Sequence, residues 1–197
     1  HTLAALQAAD EFQYDPLSKL AVCMHDIGKP LVLDQCGNYH GHAREGSAYA
    51  RSILENMRLP SDDIDAVVFA VENHMKMYEF DNMRPAKKRR LLMHDNFNVL
   101  LNVYIADRCA RIPDEFGRYT TEIMIRHKFK HAVEDLCNEV TPLITGRDLI
   151  DMGLKPGKIF STILEEVEDR QVANEISTKE EAVELAKSLS ACRQQGM

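Results

Sequence analysis

The chain reads as all-helical, and three features of its 197 residues point that way. Apolar side chains recur at spacings of three and four along most of its length. Helix starts such as Asp15-Pro16 and Thr145 followed by Asp148 punctuate it, and breakers such as Leu59-Pro60 and Gly153 separate the periodic stretches. The expected architecture is a helical bundle over residues 1–140, followed by a helical tail over 141–197.

The first helix, from His1 to Ala9, carries Leu3 and Leu6 three apart and places His1 in its first turn. The second opens at Asp15-Pro16, an N-cap carboxylate followed by proline at the first helical position. Its body, Leu17 to Met24, is apolar on nearly every face and is therefore expected to be buried. His25 and Asp26 follow at its inner end, where an acid and an imidazole are costly unless something there requires them. Gly28 and Pro30 are expected to end this helix, and Leu31 to Gly41, with its Cys36-Gly37-Asn38 turn signal, to form a loop or small hairpin.

His42 opens the next helix, on which Gly46, Ala50, Ile53 and Met57 share one face, and small residues there permit close approach of a neighbour. After Leu59-Pro60, Ser61 with Asp62 and Asp63 caps a helix whose Ile64, Val67, Val68 and Val71 face puts His74 on the buried side. Met75 to Arg84 shows no helical period and is expected to be a rim loop. Pro85 starts a helix bearing Lys87, Lys88, Arg89 and Arg90. From Asn96 to Arg111 an apolar stripe of Val99, Leu100, Val103 and Tyr104 carries Asp107 inward, where an unpaired carboxylate would cost several kcal/mol.

Asp114 to Val140 is expected to be a long amphipathic helix, or two, packed on the bundle through Phe116, Tyr119, Ile123, Phe129, Val133 and Leu136. In the tail, Thr145 and Asp148 form a capping box, Gly153 stops that short helix, Pro156-Gly157 starts another, and Ser177 with Glu180 caps the last.

The candidate metal ligands are His1, His25, Asp26, His42, His74 and Asp107, a mixture of imidazole and carboxylate that suits Zn, Ni, Fe or Mn better than Ca. Lys29 and Arg44 follow proposed ligands closely enough to reach a phosphate held on such a metal. His127 and His131 have i, i+4 spacing, but their basic surroundings mark a solvated face. The net charge, 24 − 31 = −7, gives no general attraction to nucleic acid, so RNA contact requires a local patch. Lys87 to Arg90 is one candidate, and Lys155 with Lys158, bracketing an expected helix N-terminus, is the other. Cys23, Cys36, Cys109, Cys137 and Cys192, odd in number and without C-x-x-C spacing, read as reduced thiols of a cytoplasmic protein. No apolar stretch is long enough to span a bilayer, so no membrane partner is expected.

The order His1, His25-Asp26, His42, His74, Asp107 resembles the signature of HD-domain metal-dependent phosphohydrolases. The finer likeness, in Met24-His-Asp-Ile-Gly-Lys-Pro30, His40-Gly-His-Ala-Arg-Glu-Gly46, Val71-Glu-Asn-His74 and Ile105-Ala-Asp107, is to the HD region of bacterial tRNA nucleotidyltransferases and poly(A) polymerases. Ile144-Thr-Gly-Arg-Asp-Leu149 and Glu175-Ile-Ser-Thr-Lys-Glu180 resemble the segment that follows it in those enzymes. The resemblance selects His42 over His40, and it implies one or two divalent ions (Mn, Ni, Co, Fe, Zn or Mg) acting on nucleotide or RNA-end phosphate esters. Asp26 would then bind metal and serve catalysis, with Lys29 and Arg44 on the phosphate. The alternative it leaves open is a tRNA-binding or structural C-terminal portion of a nucleotidyltransferase, without hydrolysis.

Overall fold

Asp15 accepts the Ser18 backbone N–H at 2.9 Å, and this cap with Pro16 behind it starts the helix that leads to His25 and Asp26. The computed structural model describes residues 1–138, 142–172 and 175–194; side chains are described for these except at 34–36, 136–138, 158 and 191–194. Among the described residues the elements are helical: α1 (Thr2–Glu11), α2 (Pro16–Met24), α3 (Lys29–Cys36), α4 (His42–Asn56) and α5 (Ser61–Asn73), then a 3-10 helix (His74–Asn82). They continue as α6 (Pro85–Leu92), α7 (Phe97–Cys109), α8 (Glu115–Asn138), α9 (Gly146–Asp151), α10 (Lys158–Val172) and α11 (Lys179–Gln194). None of them is long and apolar enough to cross a membrane. The all-α expectation is met.

The chain divides into two units. The first comprises His1–Asn82 and Met93–Lys130. In it α2 packs against α1, α5 and α7, while α4 covers α5 and α3 covers α4. Ala5, Ala8 and Ala9 of α1 and Ala21 of α2 are fully buried, so these helices meet through small side chains. Val22, Val67, Val71, Leu100 and Val103 fill the space between them without exposure. Each such residue contributes roughly 1.5–3 kcal/mol relative to an exposed side chain. The buried hydroxyl of Ser18 accepts from Asn102 at 2.9 Å, and the Asn102 carbonyl accepts from Arg126 at 2.9 Å, so these two polar side chains are paired.

The second unit comprises Met83–Leu92 and His131–Met197. Leu149 of α9, Ile163 and Val167 of α10, and Ala182 and Ala186 of α11 make its core with Ile144. Helix α6 joins this unit because α10 meets it with acids: Arg90 lies 2.8 Å from Glu165, Arg89 lies 3.4 Å from Glu168, and Arg84 lies within 3.6 Å of both Glu166 and Asp169. Asp169 also accepts the Ala86 backbone N–H at 2.9 Å, so a carboxylate from α10 satisfies one of the unpaired donors in the first turn of α6.

Several local expectations are corrected. Residues 31–41 are not a loop or hairpin throughout, because Pro30 opens α3 instead of merely ending α2, and Gly37 in the left-handed region closes it. Residues 75–82 are not an irregular loop but the 3-10 helix. Its buried residues are His74, Met77 and Phe80, a period of three that a search for 3.6 overlooks. Ser61 is the first helical residue of α5, with Pro60 in the cap position. The last capping box is Thr178 with Glu181 rather than Ser177 with Glu180: Glu181 accepts the N–H of Ser177 at 2.8 Å and of Thr178 at 3.0 Å. Helix α8 forms, but Phe116 (82% exposed) and Ile123 (64%) face away from the core that takes Phe129. The apolar residues of α8 do not share one face, and the side chain of Leu136 lies outside the described residues.

Candidate metal centre

Helix α2 ends at Met24, and the 3-10 type bonds Ile27 N–H to the Met24 carbonyl (3.0 Å) and Lys29 N–H to the Asp26 carbonyl (2.9 Å) tighten the turn beyond it. Adjacent residues on a helix diverge by about 100°, but His25 and Asp26 lie past its last turn and both reach one centre. Helix α4 brings His42 there from its first residue, His74 follows α5 in its C-cap position, and α7 delivers Asp107 from its last turn. The cap position of α1 supplies His1.

The donor atoms converge. Asp26 Oδ2 lies 3.3 Å from His25 Nε2 and 3.8 Å from His1 Nε2; its Oδ1 lies 3.4 Å from His42 Nε2 and 3.9 Å from His74 Nε2. Asp107 Oδ1 lies 2.8 Å from His1 Nε2 and 3.9 Å from His25 Nε2. Two donor groups result, His1 with His25 and Asp26, and Asp26 with His42 and His74, and Asp26 belongs to both. His25, His42, His74 and Asp107 are buried, whereas His1 keeps 31% of its side chain exposed.

Three of the imidazoles are set in one tautomer by the main chain. The Nδ1–H groups of His25, His42 and His74 point at the carbonyls of Val22 (2.7 Å), Tyr39 (2.8 Å) and Val71 (2.7 Å), which leaves each Nε2 to present its lone pair to the centre. His42 Nε2 and His74 Nε2 consequently face each other at 3.2 Å with no proton between neutral rings. His25 Nε2 is buried without a hydrogen-bond partner among the described residues. Facing lone pairs and an orphaned buried nitrogen are unfavourable unless a cation takes them. Two nitrogens bound to one ion at about 2.1 Å lie roughly 3 Å apart, so these donors fit a divalent ion of the transition series.

The electrostatics fit a ligand role at His74 and Asp26, while Asp26 draws metal-free His25 toward its protonated form. Burial, the largest influence on His74, pushes its pKa down to about 4, aided by the neighbouring His25 and His42, and holds the ring neutral as a ligand requires. Burial alone would lower His25 as well, but Asp26 outweighs it and the net shift is upward. Burial would raise Asp26; His25 and Lys29 overcome this and hold the carboxyl well below its usual range. Lys29 Nζ contacts Asp26 Oδ2 at 2.5 Å. Tyr78, whose phenol is pushed up by burial and then by Asp107, donates its O–H to Asp107 Oδ2 at 2.6 Å.

The depressed His74 pKa has a measurable sign. In metal-free protein the unfolded chain takes up a proton near pH 6.5 that the folded state refuses until about pH 4. The stability linked to neutral His74 is therefore present above pH 6.5 and lost as pH falls to 4. The difference in urea unfolding free energy between wild type and His74→Gln is expected to shrink over that window, by roughly 1.4 kcal/mol for each unit of depression; a constant difference would refute it.

A cavity of 1190 Å³ opens beside the centre, with Lys29, Arg44, Lys76 and Arg111 among its cationic walls and Tyr39 and Tyr78 among its aromatic ones. Arg44 is exposed there, and His40, also exposed, lines the same cavity but is not among the converging donors. The basic candidates in the second unit are placed differently. Arg89 and Arg90 engage Glu168 and Glu165, Lys87 and Lys155 are exposed, Lys88 is half-buried, and the side chain of Lys158 lies outside the described residues. His131 sits 3.2 Å from Glu134 on the exposed side of α8. Cys23 and Cys109 are free thiols, Cys109 pushed up to about 11 by burial, and the other cysteine side chains are outside the described residues. Sequence reasoning missed Tyr78, Lys76 and Arg111; Tyr78 lies four residues after His74 and Arg111 four after Asp107, and that spacing from a candidate ligand is the signal that could have found these two.

Comparison with known proteins gives relatives along most of the chain. It is 28% identical over 180 residues to the A-adding tRNA nucleotidyltransferase of Deinococcus radiodurans, covering 85% of this chain and 40% of that protein. It is 29% identical over 172 residues to the CC-adding tRNA nucleotidyltransferase of Thermus thermophilus, covering 84% of this chain and 38% of that protein. A Multifunctional CCA protein of Legionella pneumophila is 31% identical over 93 residues, 47% of this chain and 23% of that protein. The chain thus spans about two fifths or less of the length of these relatives. No solved structure gives a significant match. The family model described as "tRNA nucleotidyltransferase domain 2 putative" matches residues 44–186, most of the chain, and the protein belongs to that tRNA nucleotidyltransferase domain 2 family.

Proposed function

We propose that this chain is the tRNA-handling helical portion of a tRNA nucleotidyltransferase, and that it holds RNA without itself adding nucleotides. The observation that carries this reading is the similarity to an A-adding and a CC-adding enzyme over 85% and 84% of the chain, extending through both units. The exposed lysines Lys87 and Lys155, with Lys88 and Lys158, are its candidate phosphate contacts. Arg89 and Arg90 are engaged by acids of α10 and offer less to RNA. In a gel shift with tRNA, reversing Lys87, Lys88, Lys155 and Lys158 to glutamate is expected to weaken binding about tenfold or more at 0.1 M salt. Absent binding, or binding indifferent to those changes, would count against it.

The donor geometry favours a second activity in the first unit, an HD-type metal-dependent phosphohydrolase centre. What supports it is the set of carbonyl-oriented histidines around Asp26, with facing Nε2 atoms 3.2 Å apart. His1, His25, Asp26 and Asp107 would hold one ion, and His42 and His74 with Asp26 a second. A divalent ion bound there supplies hydroxide at neutral pH and screens phosphate charge. Lys29, already at Asp26, and Arg44, on the cavity wall, bind and orient the phosphate oxygens that gain charge. The open cavity beside the centre has room for a nucleotide or an RNA end. Protein supplied in turn with Mn, Ni, Co and Mg should hydrolyse aryl phosphates or 2′,3′-cyclic nucleotides. The two activities separate at Asp26→Ala, which should abolish hydrolysis and leave tRNA binding intact.

A further inference from the structure

We propose that Tyr78 is a positioning residue of the metal centre, its hydroxyl holding Asp107 as a ligand that offers one oxygen only. This rests on the metal-centre reading above and extends it to a residue outside the donor set.

Asp107 has two carboxylate oxygens with different surroundings. Oδ1 faces inward, 2.8 Å from His1 Nε2 and 3.9 Å from His25 Nε2. Oδ2 accepts the Tyr78 hydroxyl at 2.6 Å, a short charge-assisted bond. Rotation of the carboxylate about its own axis would exchange the two oxygens, and the phenol blocks it by binding one. The three carbonyl-bound imidazoles lack this freedom, being fixed by the main chain, and the Asp26 carboxylate is held in turn by Lys29. Among the described residues no main-chain carbonyl fixes His1 in that way; it meets the centre against Asp107 itself, so an oriented Asp107 also defines where His1 comes to rest.

The phenol is itself held. Tyr104, one turn before Asp107 on α7, meets its ring edge to face at 5.1 Å and 79°. The Arg108 guanidinium lies 5.9 Å from its centroid. The backbone beneath it is anchored by the buried side chains of Met77 and Phe80, and the same 3-10 helix begins at His74. One short segment thus supplies a ligand to one donor group, through His74, and holds the carboxylate that lies beside His1 and His25 of the other. Packing alone does not explain the choice of tyrosine: the residue is 37% exposed, whereas its hydroxyl reaches a carboxylate side chain that is 8% exposed.

The test is Tyr78→Phe, which keeps the ring and removes the hydroxyl. Titration of metal-stripped protein with Mn is expected to give affinity ten- to a hundredfold below wild type, the usual cost of losing a group that orients a metal ligand. With Co as probe, the visible absorption bands should shift in position and intensity, because the coordination sphere changes; a residue that only packs would leave them alone. Metal-free Tyr78→Phe should unfold in urea as cooperatively as wild type. Unchanged Mn affinity together with an unchanged Co spectrum overturns the proposal while leaving the metal centre standing. Wild-type protein that binds neither ion overturns both.

Discussion

Replacing Gly28 by alanine is expected to destabilise the protein by about 3 kcal/mol or more, lowering its melting temperature by roughly 10 °C. A Cβ built on Gly28 would lie 2.0 Å from the His42 carbonyl oxygen, 2.6 Å from Gly46 N and 2.8 Å from Gly46 Cα. These obstacles are backbone, so no side chain can rotate out of the way. The requirement at Gly28 is closeness and not conformation, since its φ of −78° suits any residue. Gly46→Ala is the milder change: its Cβ would meet Gly28 N at 3.0 Å, which a shift of a few tenths of an ångström relieves, at about 1 kcal/mol. Because the turn after Asp26 and the first turn of α4 touch here, Gly28→Ala should also displace His42 from His74 and weaken Mn uptake. A wild-type melting temperature for Gly28→Ala would refute the crossing.

The other large effect is expected at Asp26. It belongs to both donor groups, so Asp26→Ala removes a ligand from each at once, whereas His1→Ala touches one. Asp26→Ala should lower total Mn or Co binding at least a hundredfold and remove metal-dependent hydrolysis; His1→Ala should leave His42 and His74 with Asp26 and retain part of the metal. Elemental analysis of untagged protein alongside titration checks both. Equal losses in the two variants would show that the groups do not share Asp26.

Most of this architecture is written locally. Asp15 with Pro16, Thr145 with Asp148, and Gly153 at φ +85° do at short range what their residue types demand, and the helices they bound are where periodicity places them. The inward placement of His74 and Asp107 is legible because Val71 and Val103 set their faces, whereas grouping them with His1, His25, Asp26 and His42 rests on the order of the motifs. What was not legible depends on partners far along the chain. Nothing near Arg89 and Arg90 announces that α10 will meet them with Glu168 and Glu165. Pro30 is equally good as a helix stop or a helix start, and the closeness of Gly28 to α4 goes with the second. The spacing of the apolar residues of α8 suggests a packed stripe, but Phe129 alone among its aromatics is fully enclosed among the described residues.

The imidazoles of His25, His42 and His74 lean on the carbonyls of Val22, Tyr39 and Val71, and a carbonyl is common to every amino acid. Replacing any of those three residues changes a side chain and spares the acceptor, so this half of the centre is buffered against single codon changes. The carboxylate half leans on a phenol and an ammonium, groups that one substitution deletes. Genetic fragility is thereby concentrated at Tyr78 and Lys29, and a saturation library should find its intolerant supporting positions there and not behind the histidines.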